Sequence, residues 1–388
     1  MLKPAVTFLL TVSACSGQTR SLEESASSGE VFPVQRLDQI RDHFDPTNTA
    51  LWHQRYWENF QHYRGQGLAF LMLGGEGEES PGWLGKSNKN GKVFQWSKWA
   101  LENGAAMFVL EHRYYGQSQP TEDLSTENMK FLSSRQGLED AGHFISAMNE
   151  RHNLTTWITF GGSYPGSLSA WMRLRFPHLV TGAVSSSGPL FAKLDYHEYL
   201  QVVADALDTT GPGCNVALNQ ALTTVEMMVE FEDTWEDLSN KFKLCSTLDG
   251  LNSMDVKSFM ELLIDNLAGI VQYNGRYEED IFSICAIMTD DSMSDPVDRL
   301  AAVNDIMLEM SGEECVDHTY QAFLQDLTNI NWTAGGIGWR QWTWQTCTEF
   351  GWYQTTNQVI IIIIVMTSLM VNITGECSLR QLLAVGLL

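Results

Sequence analysis

The sequence is short of positive charge. Its 388 residues contain 24 Lys and Arg against 47 Asp and Glu, which gives a formal net charge of −23 at pH 7. Nucleic acids and anionic membrane surfaces are bound through basic patches, so this balance argues against both as partners. It is compatible with an acidic lumen, where carboxylates lose charge, and equally compatible with an ordinary soluble surface.

Metal-binding and cofactor-binding patterns are also missing. The nine histidines are scattered and the cysteines form no C-x-x-C pair, so we expect no metal site. The glycines around Gly74 lack G-x-G-x-x-G spacing, which argues against a dinucleotide, and we expect no cofactor. There is no internal repeat.

No apolar run is long enough to span a bilayer as a helix. The run from Val359 to Val371 is mostly apolar for 13 residues, whereas a membrane-spanning helix needs about 20. We therefore expect a strand or a tail here, with no membrane as partner. An uncharged, β-branched run of this kind is also prone to aggregate.

The amino terminus reads as a secretory signal peptide. One lysine, an apolar stretch and small residues over 1–17 fit that class of segment, which is removed in the mature protein. Three Asn-x-Thr sequons add support, because they are used only in a secretory lumen. The predicted glycosylation sites are Asn153, Asn331 and Asn372.

The cysteines beyond the signal form an even set. In an oxidising compartment such a set predicts disulfides, and the sequence alone does not choose among the fifteen pairings that six cysteines allow. All six follow residue 210, which places the predicted disulfides in the second half of the chain: Cys214, Cys245, Cys285, Cys315, Cys347 and Cys377.

The strongest catalytic signal lies between Thr156 and Arg175. A short apolar run leads into Gly161-Gly-Ser-Tyr-Pro-Gly166, and helical spacing follows from Leu168. A strand, a tight turn with serine at its apex and a helix form the nucleophile elbow of α/β-hydrolases. The pattern predicts Ser163 as nucleophile and the backbone N–H of Tyr164 as an oxyanion donor. Pro165 departs from G-x-S-x-G, and the alternative is an ordinary glycine-rich turn.

Two further segments follow predicted strands. Gly74-Gly-Glu-Gly77 is where hydrolases place a second oxyanion donor, so the backbone N–H of Gly75 or Glu76 is the candidate, with a plain turn as the alternative. Glu111-His-Arg113 ends the next strand, and we expect a structural hydrogen-bond network there rather than catalysis.

Pattern changes divide the chain. Apolar runs at 68–73, 105–110 and 156–160 alternate with helical spacing, such as that of 135–151, and 180–187 reads as the strand after the elbow helix. This predicts an α/β fold with a parallel sheet and helices on both faces. Aromatic residues at 52, 56, 57 and 63 have helical spacing and are expected in the core. The predicted domains are a core at 18–190, a helical cap at 191–345 and a return toward the core with a divergent apolar tail at 346–388.

Four blocks carry a family resemblance: Gln39-Ile-Arg-Asp-His-Phe44, Trp52-His-Gln-Arg-Tyr-Trp57, Glu111-His-Arg-Tyr-Tyr-Gly-Gln-Ser118 and the Ser163 turn. They resemble the serine carboxypeptidase family that contains lysosomal Pro-X carboxypeptidase, dipeptidyl peptidase II and thymus-specific serine protease. Thr346-Cys-Thr-Glu-Phe-Gly351 and the proline after Ser-Tyr are most similar to the thymus-specific branch. The resemblance implies an α/β-hydrolase core with an inserted cap, peptide substrates cleaved near one end, often beside proline, and a lysosomal or extracellular location.

The acid and base that this family places after the cap are not found. The last Asp is Asp326 and the last His is His318, both within the predicted cap. Family-like sequence is expected to end near Thr356, so we expect a core truncated before its last strands and a chain without activity as written. Three hypotheses remain: a serine exopeptidase, a non-catalytic protein that binds peptides or a partner through its cap, and an esterase or lipase, which the long blocks disfavour. The sequence leaves a homodimer undecided.

Overall fold

The computed structural model of the protein describes residues 32–85, 94–275, 279–332 and 338–355. The predicted signal peptide, the apolar run from Val359, Asn372 and Cys377 lie outside these residues. Within them, one large mixed sheet carries helices on both faces, and a helical region follows it in the chain.

The main sheet has six strands in the order β1-β2-β4-β3-β5-β6. Their bounds are β1 Gln35–Ile40, β2 Leu51–Asn59, β3 Leu68–Leu73, β4 Ala106–Leu110, β5 Thr156–Gly162 and β6 Val180–Ser186. The predicted strands at 68–73, 105–110, 156–160 and 180–187 thus form, with shifts of one or two residues at their ends. These four strands pair in parallel.

The prediction of a parallel sheet is wrong for its first two strands, because β1 and β2 form an antiparallel pair and β2 joins β4 antiparallel. The aromatic cluster explains the error. Trp52, Tyr56 and Trp57 have helical spacing but lie on β2, where Tyr56 and Trp57 point to opposite faces. Both faces are buried, so an apolar side chain fits at either position and the period-2 signal is lost. The expectation that these residues lie in the core is confirmed.

Helices cover both faces of the sheet. Helix α1 (Gln95–Asn103) packs on one face, where Trp96 and Ala100 contact Trp57 and Phe160. Three further helices follow in this half of the chain: α2 Thr126–Met129, α3 Ser134–His152 and α4 Tyr164–Arg175. The apolar stripes of α3 and α4 pack on the other face around Trp157, which is fully buried. The fold predicted from alternating strands and helices is confirmed.

Residues 198–328 are helical and form a core of their own. The helices are α5 Glu198–Asp208, α6 Cys214–Val229, α7 Trp235–Lys241, α8 Ser253–Gln272, α9 Ile281–Met288, α10 Pro296–Ser311 and α11 Tyr320–Thr328. Two disulfides join them, Cys214–Cys285 and Cys245–Cys315. Cys347 is also disulfide-bonded. No described helix is both long and apolar enough to cross a membrane.

The chain then returns to the sheet. Strand β7 (Lys193–Asp195), before the helical region, pairs in parallel with β8 (Gly351–Tyr353) after it. Helix α12 (Trp339–Gln345) and a π-helical turn at Thr346–Phe350 precede β8, and Trp342 and Phe350 pack into the core beneath α3 and α4. Helix α12 lies within the range predicted for the cap, yet it packs on the sheet domain. The exact domain boundaries stay predictions.

Candidate active site

Ser163 lies at the turn between β5 and α4, in an unusual backbone conformation. Its φ of 64° and ψ of −142° are rare for a residue with a Cβ, and such conformations cost on the order of 1–3 kcal/mol. Hydrogen bonds hold the turn: the Ser163 N–H donates to the Ser186 carbonyl at 3.0 Å, and the Gly166 N–H donates to the Ser163 carbonyl at 2.8 Å. A strained serine fixed by both neighbouring elements is the geometry that the sequence predicted for a nucleophile.

Two glycines make the turn possible. A Cβ on Gly161 would lie 2.0 Å from the Pro165 carbonyl oxygen, and a Cβ on Gly166 would lie 3.0 Å from the Ser186 carbonyl oxygen. The chain therefore needs glycine two residues before and three residues after the serine. Pro165 occupies the position where G-x-S-x-G has its last glycine, and helix α4 tolerates it because a first-turn N–H has no intrahelical acceptor.

The Pro165 ring explains why Gly75 is a glycine. A Cβ on Gly75 would lie 2.3 Å from Pro165 Cγ, so the loop after β3 packs directly against the elbow. The structure therefore brings both predicted oxyanion segments together: Gly75 and Glu76 on one side, Tyr164 at the first position of α4 on the other. Their roles as oxyanion donors stay predictions.

The Ser163 hydroxyl has a carboxylate partner. Ser163 Oγ donates to Glu76 Oε1 at 2.8 Å, and both residues are partly exposed. Burial of the carboxyl group raises the pKa of Glu76, whereas hydrogen bonds from its own backbone N–H and, to a smaller extent, from Ser163 act in the opposite direction. The sequence pattern pointed to the backbone N–H of Glu76 and missed its side chain, because no sequence signal states which way a loop glutamate turns.

Three further glutamates surround the Glu76 loop: Glu78, Glu79 and Glu111. Arg55 forms an ion pair with buried Glu111 at 2.5 Å and a second with the more exposed Glu78 at 2.7 Å. Glu79 donates its backbone N–H to Glu111 Oε1 at 3.1 Å. Burial, followed by the charges of Glu111 and Glu76, raises the pKa of Glu79 to about 8. The four neighbouring carboxyls therefore differ: two are paired with arginine, one holds a proton at neutral pH, and one binds the serine.

A buried hydrogen-bond chain runs behind the elbow. Tyr115 Oη donates to Gln345 Oε1 at 2.6 Å, Gln345 Nε2 donates to Tyr164 Oη at 3.0 Å, and Tyr164 Oη lies 3.0 Å from His112 Nε2. His112 Nδ1 lies 2.8 Å from the Arg113 carbonyl oxygen, so this nitrogen carries the proton and Nε2 accepts from Tyr164. Burial lowers the pKa of His112 to about 4. His112 is therefore neutral and fully engaged, and its ring holds the Tyr164 side chain rather than Ser163.

The other side chains of the resemblance blocks form a structural network, as predicted for Glu111-His-Arg113. Arg113 binds both oxygens of Asp140 at 2.6 and 2.7 Å, and His43 Nε2 lies 2.8 Å from the same carboxylate. Gln39 donates to Gln54 Oε1 at 2.7 Å and to the Asp140 carbonyl at 2.9 Å. These contacts fix β1 and β2 to α3, so the blocks stabilise the fold around the elbow.

The remaining predicted residues lie away from Ser163. His318 is buried in the helical region against Phe259. Asn153 and Asn331 are exposed, as glycosylation acceptors must be, and their modification stays a prediction. Within the described ranges, no group of three or more His, Cys, Asp or Glu side chains is arranged to hold a metal ion.

Comparison with known proteins gives a family match over most of the chain. The sequence model described as Serine carboxypeptidase S28 matches residues 39–374. This match continues past Thr356, so the expectation that family-like sequence ends there is wrong.

Curated relatives agree with the family match. Thymus-specific serine protease from Homo sapiens is 34% identical over 356 residues, which cover 88% of this chain and 67% of the relative. A putative serine protease from Caenorhabditis elegans is 36% identical over 330 residues, 82% of this chain and 63% of the relative. Lysosomal Pro-X carboxypeptidase from Homo sapiens is 27% identical over 346 residues, 84% of this chain and 66% of the relative. The chain thus spans about two thirds of the length of these relatives.

Proposed function

Because this chain belongs to the serine carboxypeptidase S28 family, we propose that it is a serine peptidase that hydrolyses peptides near one end through an acyl-enzyme formed at Ser163, rather than the inactive chain that the sequence alone led us to expect. The observation that carries the proposal is the conformation of Ser163. A serine with φ of 64° between a parallel strand and a helix presents its hydroxyl at the carboxyl edge of the sheet, where ligands bind in such folds.

The reaction assigns a role to each part of the elbow. Ser163 Oγ attacks the scissile carbonyl, and negative charge develops on the carbonyl oxygen. The backbone N–H of Tyr164 and that of Gly75 or Glu76 donate to this oxygen, and removing one such donor costs about 10²–10³ in rate in other hydrolases. The departing amine leaves an ester on Ser163, which water hydrolyses.

The proposed substrate is a peptide cleaved as a carboxypeptidase or a dipeptidyl peptidase would cleave it, at a bond beside proline. The relative named lysosomal Pro-X carboxypeptidase supports this choice, since its name specifies proline and the carboxyl end. We place the protein in the secretory pathway, in a lysosomal or endosomal lumen or outside the cell. The two described disulfides fit an oxidising compartment.

The test is active-site labelling with a fluorescent alkyl fluorophosphonate, followed by peptide mapping. We expect the label on Ser163 and none in the Ser163→Ala variant. Ser167 provides a matched control, because its hydroxyl is buried and donates to the Pro189 carbonyl at 2.6 Å, so Ser167→Ala should still be labelled at Ser163. A label that persists in Ser163→Ala would overturn the proposal. Quenched peptides blocked at either end then separate carboxypeptidase from dipeptidyl peptidase activity.

A second candidate is a non-catalytic protein that binds peptides or a partner through the helical region. It is favoured by one observation: the side-chain hydrogen bond of Ser163 within the described residues goes to a carboxylate, whereas the buried imidazole of His112 contacts the Tyr164 hydroxyl. Peptide binding by calorimetry with neither labelling nor cleavage would support this alternative.

A further inference from the structure

The Tyr164 side chain, directly after the nucleophile, is anchored by two hydrogen bonds. Tyr164 is fully buried, and its Oη lies 3.0 Å from His112 Nε2 and 3.0 Å from Gln345 Nε2. The backbone N–H of Tyr164 is also the proposed oxyanion donor. We propose that His112 is a positioning residue of the Ser163 site, which holds this N–H toward the oxyanion by fixing the Tyr164 side chain. The inference rests on the proposed function, because it concerns the same site.

One backbone carbonyl fixes the direction of the hydrogen bonds around Tyr164. The Arg113 carbonyl can only accept, so His112 Nδ1, at 2.8 Å from it, carries the proton. Burial lowers the pKa of His112 to about 4, while the charges of Asp140 and Arg113 act on it in opposite directions. The ring is therefore neutral and its Nε2 is an acceptor. Tyr164 must then donate its hydroxyl proton to His112.

The same direction continues into the segment that returns after the helical region. Because the Tyr164 hydroxyl proton is used toward His112, the Tyr164 oxygen accepts from Gln345 Nε2. This orients the Gln345 amide so that its Oε1 faces Tyr115, whose hydroxyl donates to it at 2.6 Å. Each member donates to the next, so no donor faces a donor. A fully satisfied buried network of this kind makes its members rigid.

A glycine of α3 leaves the space that the imidazole ring occupies. A Cβ on Gly137 would lie 2.7 Å from His112 Nε2, the nitrogen that accepts from Tyr164. Glycine inside a helix is less favourable than alanine, so α3 gives up helix stability where the ring needs room. On the other side, the Tyr164 ring packs against Trp342 and Phe350, with centroid distances of 5.8 and 5.4 Å.

The anchored side chain bears on the reaction through the backbone of the same residue. Tyr164 is the first residue of α4, so a shift of its side chain moves the N–H that faces the oxyanion. Oxyanion donors act at about 2.7–3.1 Å, and a misplacement of about 1 Å in an active site can cost about 100-fold in rate. His112 itself touches no reacting atom in this assignment and acts through Tyr164.

The test compares His112→Asn with His112→Gln in the 388-residue chain. The asparagine amide nitrogen takes the place of Nδ1 and can bond the Arg113 carbonyl, whereas the glutamine amide oxygen reaches the place of Nε2 and can accept from Tyr164. We expect the rate of labelling by the fluorophosphonate to fall at least about 10-fold in His112→Asn and less than about 3-fold in His112→Gln. Losses of equal size in the two variants would indicate a merely structural role and overturn the proposal.

Two glycine variants displace the ring without changing any group of the hydrogen-bond chain. Gly137→Ala adds a methyl group against His112 Nε2 and should lower the labelling rate at least about 10-fold. Alanine is a better helix former than glycine, so such a loss would not come from a weakened α3. In Gly269→Ala, in α8, the added Cβ has no atom within 4 Å, and labelling should proceed at the wild-type rate. Equal rates for the two variants would contradict the positioning role.

Nitrogen NMR of protein labelled with ¹⁵N-histidine determines where the His112 proton lies, and His112→Gln assigns the signal. We expect the Nδ1–H form at pH 7, because the Arg113 carbonyl accepts that proton. The Nε2–H form would reverse the bond to Tyr164 and overturn the proposal.

Tyr164→Phe tests whether His112 acts through the Tyr164 hydroxyl. This variant keeps the packed ring and should lose labelling rate to about the same extent as His112→Asn, and the double variant should be no slower than either single variant. A full further loss in the double variant would overturn the proposal. Equal labelling of His112→Asn and wild type would also overturn it, while leaving Ser163 as nucleophile. Absence of labelling in the wild type would contradict the proposed function itself, and the positioning role with it.

Discussion

At the scale of single residues, the elbow depends on contacts that glycine alone permits. Gly75 and Gly77 lie in the same loop, yet a Cβ on Gly75 would overlap the Pro165 ring, whereas a Cβ on Gly77 would have no atom within 4 Å. One added methyl group should therefore destabilise the fold at Gly75 and have little effect two residues later at Gly77. This pair offers a test of whether the loop after β3 is fitted to the nucleophile turn.

We expect Gly75→Ala to lower the free energy of unfolding by about 1–3 kcal/mol, the usual cost of overpacking, and to reduce labelling of Ser163 at least tenfold, because the loop must move away from the elbow. For Gly77→Ala the free energy of unfolding should stay within about 0.5 kcal/mol of the wild-type value, and Ser163 should be labelled at the wild-type rate. Urea denaturation and labelling rates check both. Equal behaviour of the two variants would contradict the packing of Gly75 on Pro165.

Two buried titratable groups near the elbow give opposite pH dependences of stability. The pKa of His112 is lowered from 6.5 to about 4, so the unfolded state binds more protons between these values and stability falls as the pH drops through them. The pKa of Glu79 is raised from 4.5 to about 8, so the folded state binds more protons and stability falls as the pH rises through that range.

We therefore expect Glu79→Gln to be more stable than the wild type at pH 8, by on the order of 3 kcal/mol, and to show little gain at pH 5, where Glu79 is already protonated in the fold. Glu78→Gln is the control, since Glu78 is exposed and pairs with Arg55. Denaturation curves at pH 5, 6.5 and 8 measure the difference. A gain that is constant with pH would show that Glu79 does not hold a proton in the folded state.

At the scale of elements, helix α3 begins where the returning segment supplies its cap. Glu349 accepts the Ser134 backbone N–H at 2.7 Å and the Ser134 hydroxyl at 2.8 Å, and Ser133 accepts the Gln136 N–H at 3.2 Å. A carboxylate at a helix amino terminus satisfies a free donor and interacts favourably with the helix dipole. This contact joins Ser134 to Glu349, which lie 215 positions apart in the chain. It gives a structural role to the glutamate that follows Thr346-Cys-Thr.

We expect Glu349→Ala to lower the free energy of unfolding by about 1–2 kcal/mol, the loss typical of a helix cap with a charge. Glu313→Ala, at an exposed glutamate of the helical region, should change it by less than about 0.5 kcal/mol. Hydrogen exchange should show faster exchange in the first turn of α3 for the Glu349 variant alone. Unchanged protection there would argue against this cap.

At the scale of the whole molecule, the sheet domain and the helical region have separate apolar cores. The two described disulfides both lie in the helical region and close chain segments with sequence separations of 71 and 70. A bridge across a segment of that length stabilises the fold by about 4 kcal/mol in the chain-entropy model. The two described disulfides should therefore contribute most to the stability of the helical region.

We expect a variant with serine at positions 214, 245, 285 and 315 to be cleaved by a protease first between 198 and 328, while a fragment covering the main sheet persists. In the variant that lacks one bridge, Cys214→Ser/Cys285→Ser, the helical region should be cleaved at a rate between those of the four-serine variant and the wild type. Mass spectrometry of timed digests identifies the first cuts. Initial cleavage within the main sheet would contradict separate stabilisation of the two regions.

The sequence by itself determined the local elements whose signals are complete within a few residues. The apolar runs bounded by glycine predicted β3 to β6. The elbow was predicted from Gly161, Ser163 and Gly166, because a strained turn restricts which residue types can occupy it. The resemblance blocks gave the family. The positions of the cysteines also predicted that the disulfides lie in the second half of the chain, where both described bridges are found.

Tertiary structure alone decided the contacts between segments far apart in the chain. The antiparallel β1–β2 pair was hidden because a strand buried on both faces has no alternation to detect. Glu76, Gln345 and Tyr164 carried no local sign that their side chains meet the nucleophile and His112. The cysteine pairing and the place of α12 were equally open. Each depends on which surfaces the folded chain brings together, and that is a property of the packing rather than of any short segment.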